Sequence, residues 1–95
     1  MIGNKIRELR EENNILLRQL AAQLDMDTAM LSKMERGERF FKKEDIVTLS
    51  EIFNQNSKDL LVLWLADKIV KTINTEDYPK EALQMALKSL ESNKE

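Results

Sequence analysis

Apolar residues recur at helical spacing along nearly the whole chain. Ile2, Ile6 and Leu9 stand three and four positions apart and predict a helix over residues 2–12, closed by Asn13-Asn14. Leu20, Ala21 and Leu24 share one face of a second helix at about 17–24. Leu31 and Met34 do the same for a third at about 28–36. After a loop from Gly37 to Lys43, the series Ile46, Leu49 and Phe53 marks a fourth helix over about 44–53. Asn54-Gln55-Asn56 breaks the pattern, and Ser57 is expected to cap a fifth helix reaching about Ile73. Pro79 opens a last helix near its first turn, where the missing N–H does no harm. No strand-type alternation stands out, so the pattern predicts an all-α fold.

The junction between the second and third helices is the most informative stretch. Ala21 is small where two helices must cross closely. Asp25 falls where a left-handed backbone is needed, a conformation that Asp tolerates better than most side chains. Asp27 precedes the third helix as an N-cap, its carboxylate placed to accept N–H groups of the first turn. Two short amphipathic helices joined by such a turn form a helix-turn-helix, the unit that lays its second helix in the DNA major groove.

The residues around that junction resemble a known family. Ile2-Gly3-x-x-Ile6-Arg7-x-Leu9-Arg10, Leu20-Ala21 and Leu31-Ser32-Lys33-x-Glu35-Arg36-Gly37 are similar in order and spacing to the Cro/phage-repressor type (XRE family) of helix-turn-helix regulator, over roughly residues 2–65. The resemblance implies a five-helix repressor-like domain over residues 1–73, followed by a C-terminal helical extension over 74–95. It also places Thr28, Ala29, Ser32 and Lys33 in the groove. Lys33 can donate to guanine O6 and N7, and Ala29 or the Thr28 methyl can touch a thymine methyl. Arg36 and Arg39 flank Gly37 and are the phosphate-binding candidates, with Lys42 and Lys43 behind them. In the family the residue matching Glu35 pairs with an Arg on the first helix, which Arg10 matches here, so the two are expected to form a structural ion pair. Gly37 is expected to end the third helix with positive φ.

Three positions depart from the family pattern. The first motif helix usually begins Ser/Thr-Gln, the Gln contacting phosphate; Leu16 and Leu17 stand there instead. Asn14 could cap from a shifted start, and Arg18 is the one evident replacement for the lost contact. The loop Pro is replaced by Phe41 beside Phe40, and one of these two rings is expected inward and the other exposed. The recognition positions also lack the Gln, Arg and Asn that make bidentate base contacts, which shifts weight to Lys33, methyl contacts and DNA shape.

The fifth helix is apolar all round over Leu60–Ala66. Val62, Ala66, Ile69 and Ile73, with Val70 at the border, form the stripe expected to face the core. Leu60 and Trp64 lie on the opposite side and need a separate cover. Either the last helix supplies it, through Leu83, Ala86, Leu87 and Leu90, or a second subunit does. A dimer interface of Leu60, Trp64, Leu87 and Leu90 is therefore expected, since operator half-sites come in pairs.

Charge divides unevenly along the chain. The net value of −2 splits into +2 for residues 1–43 and −4 for residues 44–95, and the basic side chains gather just after the third helix. Local field, not total charge, governs phosphate binding. With no Cys and no His, disulfides and thiolate or imidazole metal sites are excluded, and two Gly leave no phosphate-cradling loop. Neither cofactor, metal nor catalysis is expected. Met1 leads directly into a charged amphipathic helix, so no signal peptide is expected, and the seven-residue run Leu60–Ala66 cannot span a bilayer. The expected protein is thus a cytoplasmic, prokaryotic or phage transcription regulator, binding a two-fold operator as a homodimer without a small-molecule effector. Repressors and restriction–modification controllers are both of this kind. A protein-interaction module, such as an antitoxin with a degenerate helix-turn-helix, is the competing expectation.

Overall fold

Each of the first four helices ends in the same hydrogen-bonded turn, and this repetition sets where the chain reverses. The computed structural model describes residues 1–92 and contains α1 (Ile2–Glu12), α2 (Leu17–Gln23), α3 (Thr28–Glu35), α4 (Lys43–Ile52), α5 (Ser57–Ile73) and α6 (Pro79–Ser92). After α1, Ile15 N–H donates to Arg10 O at 3.0 Å and Asn14 N–H to Glu11 O at 3.1 Å. After α2, Met26 donates to Ala21 O at 3.0 Å and Asp25 to Ala22 O at 3.2 Å. The same pair of bonds follows α3 through Glu38 and Gly37, and α4 through Gln55 and Asn54. These are Schellman turns, and each needs one residue with positive φ. Asn14 (55°), Asp25 (55°), Gly37 (80°) and Asn54 (52°) supply it. A Cβ on Gly37 would meet nothing within 4 Å, so glycine is favoured there by its φ alone.

The helix starts are less regular. Asp27 Oδ1 accepts from Met30 N–H at 2.7 Å at the head of α3. Asn56, not Ser57, caps α5, its Oδ1 accepting from Asp59 N–H at 3.3 Å. Leu16 gives α2 no side-chain cap, and Asn14, already used to end α1, does not replace it. Gln19 instead reaches back and accepts from Leu16 N–H at 2.8 Å.

One core joins five helices. Ile2, Ile6 and Leu9 of α1 meet Leu20 and Ala21 of α2, Leu31 and Met34 of α3, and Ile46 and Leu49 of α4, with Phe41 and Phe53 filling the loops. Helix α1 packs against α3 and α5, α2 against α3, and α4 against α5. Gly3 marks the tightest approach: a Cβ there would lie 2.5 Å from Glu35 O and 2.6 Å from Met34 O.

The orientation of α5 is the reverse of the expected one. Leu60 is 2 % exposed and belongs to the core, so it cannot serve as a dimer contact. Trp64 is half-buried against the same core, its Nε1 donating to Phe41 O at 2.8 Å. Of the expected inward stripe, Val62 and Ile69, with Val70 at its border, face outward, while Ala66 and Ile73 are half-buried. The reason lies in the polar residues that follow Leu60 and Trp64 along the helix. Asp67 Oδ2 accepts from Ile2 N–H at 2.8 Å, at the positive end of α1. Lys68 Nζ lies 4.1 Å from the Trp64 ring centroid, and Lys71 Nζ 4.9 Å from that of Phe40. Partnered in this way, a polar side can face inward. Helix α6, by contrast, buries none of its residues, and residues 93–95 of the expected C-terminal extension lie outside the described part.

Replacing Gly3 by Ala should lower stability. Ala gains at most about 1 kcal/mol of helix propensity over Gly, but a Cβ overlapping two backbone carbonyls costs roughly 1–3 kcal/mol or more. Thermal unfolding followed by circular dichroism should show a lower Tm; an unchanged or higher Tm would mean that α1 and α3 can separate freely.

Candidate nucleic-acid interface

The interface rests on α3, and three interactions fix that helix. At its head the Asp27 cap and the Asp25 turn hold it to α2. At its tail Glu35 is buried, and Arg10 meets it with two bonds: Nε to Oε2 at 2.8 Å and Nη2 to Oε1 at 3.1 Å. The third Arg10 bond, Nη1 to Ile15 O at 3.1 Å, ties in the connection between α1 and α2. This fork is the strong, directional kind of ion pair, with side chains only 13 % and 5 % exposed. Its hydrogen bond to Glu35 raises the Arg10 guanidinium above its ordinary pKa, burial acting in the opposite sense. Glu35 is therefore committed to the fold, and its charge is matched before it can oppose a phosphate.

On the outer side of α3, Thr28, Ala29 and Lys33 are exposed, Ser32 and Met30 half-buried. Arg18, Arg36, Arg39, Lys42 and Lys43 are exposed as well. Arg36 is the only one of the six candidate cations paired to a carboxylate among the described residues. Its Nε donates to Glu38 Oε2 at 2.8 Å, and its Nη1 donates to Ser32 Oγ at 3.0 Å. The Arg36 hydrogen bond and charge hold the exposed Glu38 below the usual carboxylate pKa. Arg36 and Ser32, assigned separately to phosphate and to base, are thus one hydrogen-bonded unit.

Sequence reasoning overlooked two features. Arg7 lies with Arg10, Leu17 and Arg36 around an open cleft of about 250 Å³ where α1, α2 and α3 meet. It brings a second exposed guanidinium to the place where the family's Gln is missing, although Glu11 already pairs with it at 3.3 Å. The signal was present in Arg7's position three residues before Arg10 on α1. The second feature is what holds the loop after α3. Phe41 is buried and Phe40 exposed, one inward and one outward as expected, but Phe40 also lies beneath Lys68 and Lys71, which the spacing did not suggest. Lys71 also donates to Gly37 O, so α5 holds the loop that carries Arg39.

A family model for the helix-turn-helix domain matches residues 3–65, about two thirds of the chain, and the chain belongs to that family. Its unit binds DNA through the second motif helix, which is α3 here. Comparison with curated proteins and with solved structures gave no match. Among the described residues no helix is long and apolar enough to cross a membrane.

Because Glu38 occupies the Arg36 fork, a phosphate binding there must displace it. An exposed pair of this kind is weak and screened by salt, so Glu38→Gln should tighten binding to a random-sequence duplex a few-fold at low salt. Fluorescence anisotropy, with Glu44→Gln controlling for loss of one negative charge, measures this. Equal effects of both substitutions would show that Arg36 is not in competition between Glu38 and phosphate.

Proposed function

We propose that this protein is a sequence-specific transcription regulator of the Cro/phage-repressor type. It binds a short two-fold-related operator as a homodimer in the cytoplasm of a prokaryotic cell. Residues 1–73 form its DNA-binding domain, and residues 74–95 extend that domain. The supporting observation is that the outer side of α3 is free while its inner side and both ends are fixed by Leu31, Met34, Asp27 and the Arg10–Glu35 fork. A rigid helix presenting small and cationic side chains beside exposed arginines and lysines suits groove docking. In this reading Thr28, Ala29, Ser32 and Lys33 meet base edges, while Arg18, Arg36, Arg39, Lys42 and Lys43 meet phosphates. Size and the long helix after the motif suit a restriction–modification controller, which acts through its own concentration.

The deciding experiment is selection of bound fragments from a random duplex library, then anisotropy on the winner over a range of salt. An enriched two-fold motif is expected, with log K falling against log salt at a slope of about −5 for six phosphate contacts. No enrichment and feeble binding to any duplex would turn the reading to a partner-binding module.

Two substitutions separate the roles. Lys33→Ala should cost roughly 1–3 kcal/mol on the selected site and less on other sequences. Arg39→Ala should weaken all sequences about equally and reduce the salt slope by about one. The opposite pattern in either variant would reverse its assignment.

A further inference from the structure

Two apolar seams are left open by the single chain. On the outer side of α5, Val62 (56 % exposed), Leu65 (52 %) and Ile69 follow one another at helical spacing, and Ile73 prolongs the row. On α6, Leu83, Leu87 (55 % exposed) and Leu90 make a second stripe. A 14-residue helix that buries no residue has only its intrinsic propensity to hold it, which is marginal in water at this length. The whole chain is correspondingly open. Its radius of gyration is 15.4 Å, against about 12 Å for a compact domain of this length. Its accessible surface is 7030 Å², some 1,300 Å² above the roughly 5,700 Å² usual for a folded monomer of 11.1 kDa. A stable protein–protein interface needs about 800 Å² from each partner.

We propose that a second copy of this chain covers both seams, α6 of each protomer lying across the outer face of α5 of the other. This deepens the homodimer reading above and rests on it. An exchange of that kind is two-fold symmetric and consumes both seams on both chains. Helix α6 carries Lys80 and Lys88 against Glu81 and Glu91, so its charge selects neither an acidic nor a basic foreign partner. The link Asn74–Tyr78, ending on Tyr78 at φ 59°, leads α6 away from its own α5, along which it does not pack. Most of both seams also lies beyond residue 65, where the family match stops, so they are a feature of this chain in addition to its motif. Leu87 and Leu90 keep the role expected of them, while Val62, Leu65 and Ile69 replace Leu60 and Trp64.

The chain has no Cys, which allows a direct test. Chains carrying Leu65→Cys or Ile69→Cys are mixed with differently tagged chains carrying Leu83→Cys or Leu87→Cys, then oxidised. At least one pairing should give a disulfide between unlike chains, tenfold or more above an Asn4→Cys control. Sedimentation should show a wild-type dimer, and Leu65→Glu or Leu87→Glu should raise its dissociation constant at least 100-fold. Both residues are exposed in the single chain, so the variants should keep the helical signal of α1 to α5 and lose at most that of α6. A dimer unmoved by either glutamate, with no disulfide between unlike chains above the Asn4→Cys control, would overturn the exchange and leave the homodimer reading intact. A monomeric wild type would overturn both, and duplex binding by that monomer would still support the DNA-binding reading.

Discussion

The fork between Arg10 and Glu35 is the interaction on which the arrangement depends. One guanidinium reaches the tail of α3, the carbonyl that closes the α1–α2 connection and, through its own backbone, the helix that Gly3 presses onto α3. Breaking a buried pair by removing one partner costs about 3–5 kcal/mol, chiefly because the other charge is stranded. A chain of this size has a total stability of only about 5–15 kcal/mol. The position of α3 is therefore coupled to the integrity of the fold. The exposed side chains of α3, Thr28, Ala29 and Lys33, take no part in that fork and can vary without disturbing it.

Much of this was legible because the information is local. The apolar spacing of α1 to α4 placed each helix within a residue or two, and Asp25 announced its positive φ through its place between two amphipathic runs. In the sequence Asn54 reads as a break and Asn14 as a break or a cap for the next helix, yet both perform the same task as Asp25 and Gly37. Four successive reversals built on one turn type explain why short helices with modest propensity stop where they do. Leu16 was legible as a missing cap, but its substitute was not, because Gln19 acts only once the turn has formed.

The orientation of α5 was not legible, and the reason is physical. Apolar moment assumes that polar side chains seek water. Here Asp67 finds the amide end of α1, and Lys68 and Lys71 find aromatic faces, so the mixed side packs on the core and Val62, Ile69 and Val70 are left outside. Those partners lie 65, 4 and 31 residues away in sequence, and only the folded chain brings the distant ones together. The roles of Arg36 and Ser32 were blurred for a similar reason, since their shared bond is invisible until α3 has its final turn.

The pairing of Arg36 with Glu38 bears on how a protein of this class would find its site. A genome offers a vast excess of wrong sequences, and a regulator spends most of its time leaving them. If Arg36 meets a phosphate as proposed, the carboxylate two residues away would act as a resident competitor, re-entering the fork whenever the phosphate departs, with no diffusion needed to bring it back. Every random encounter would thereby be shortened, while a cognate site, held by further contacts, would lose proportionately little residence time. A single exposed glutamate would in this way trade dwell time on random duplex for speed of search.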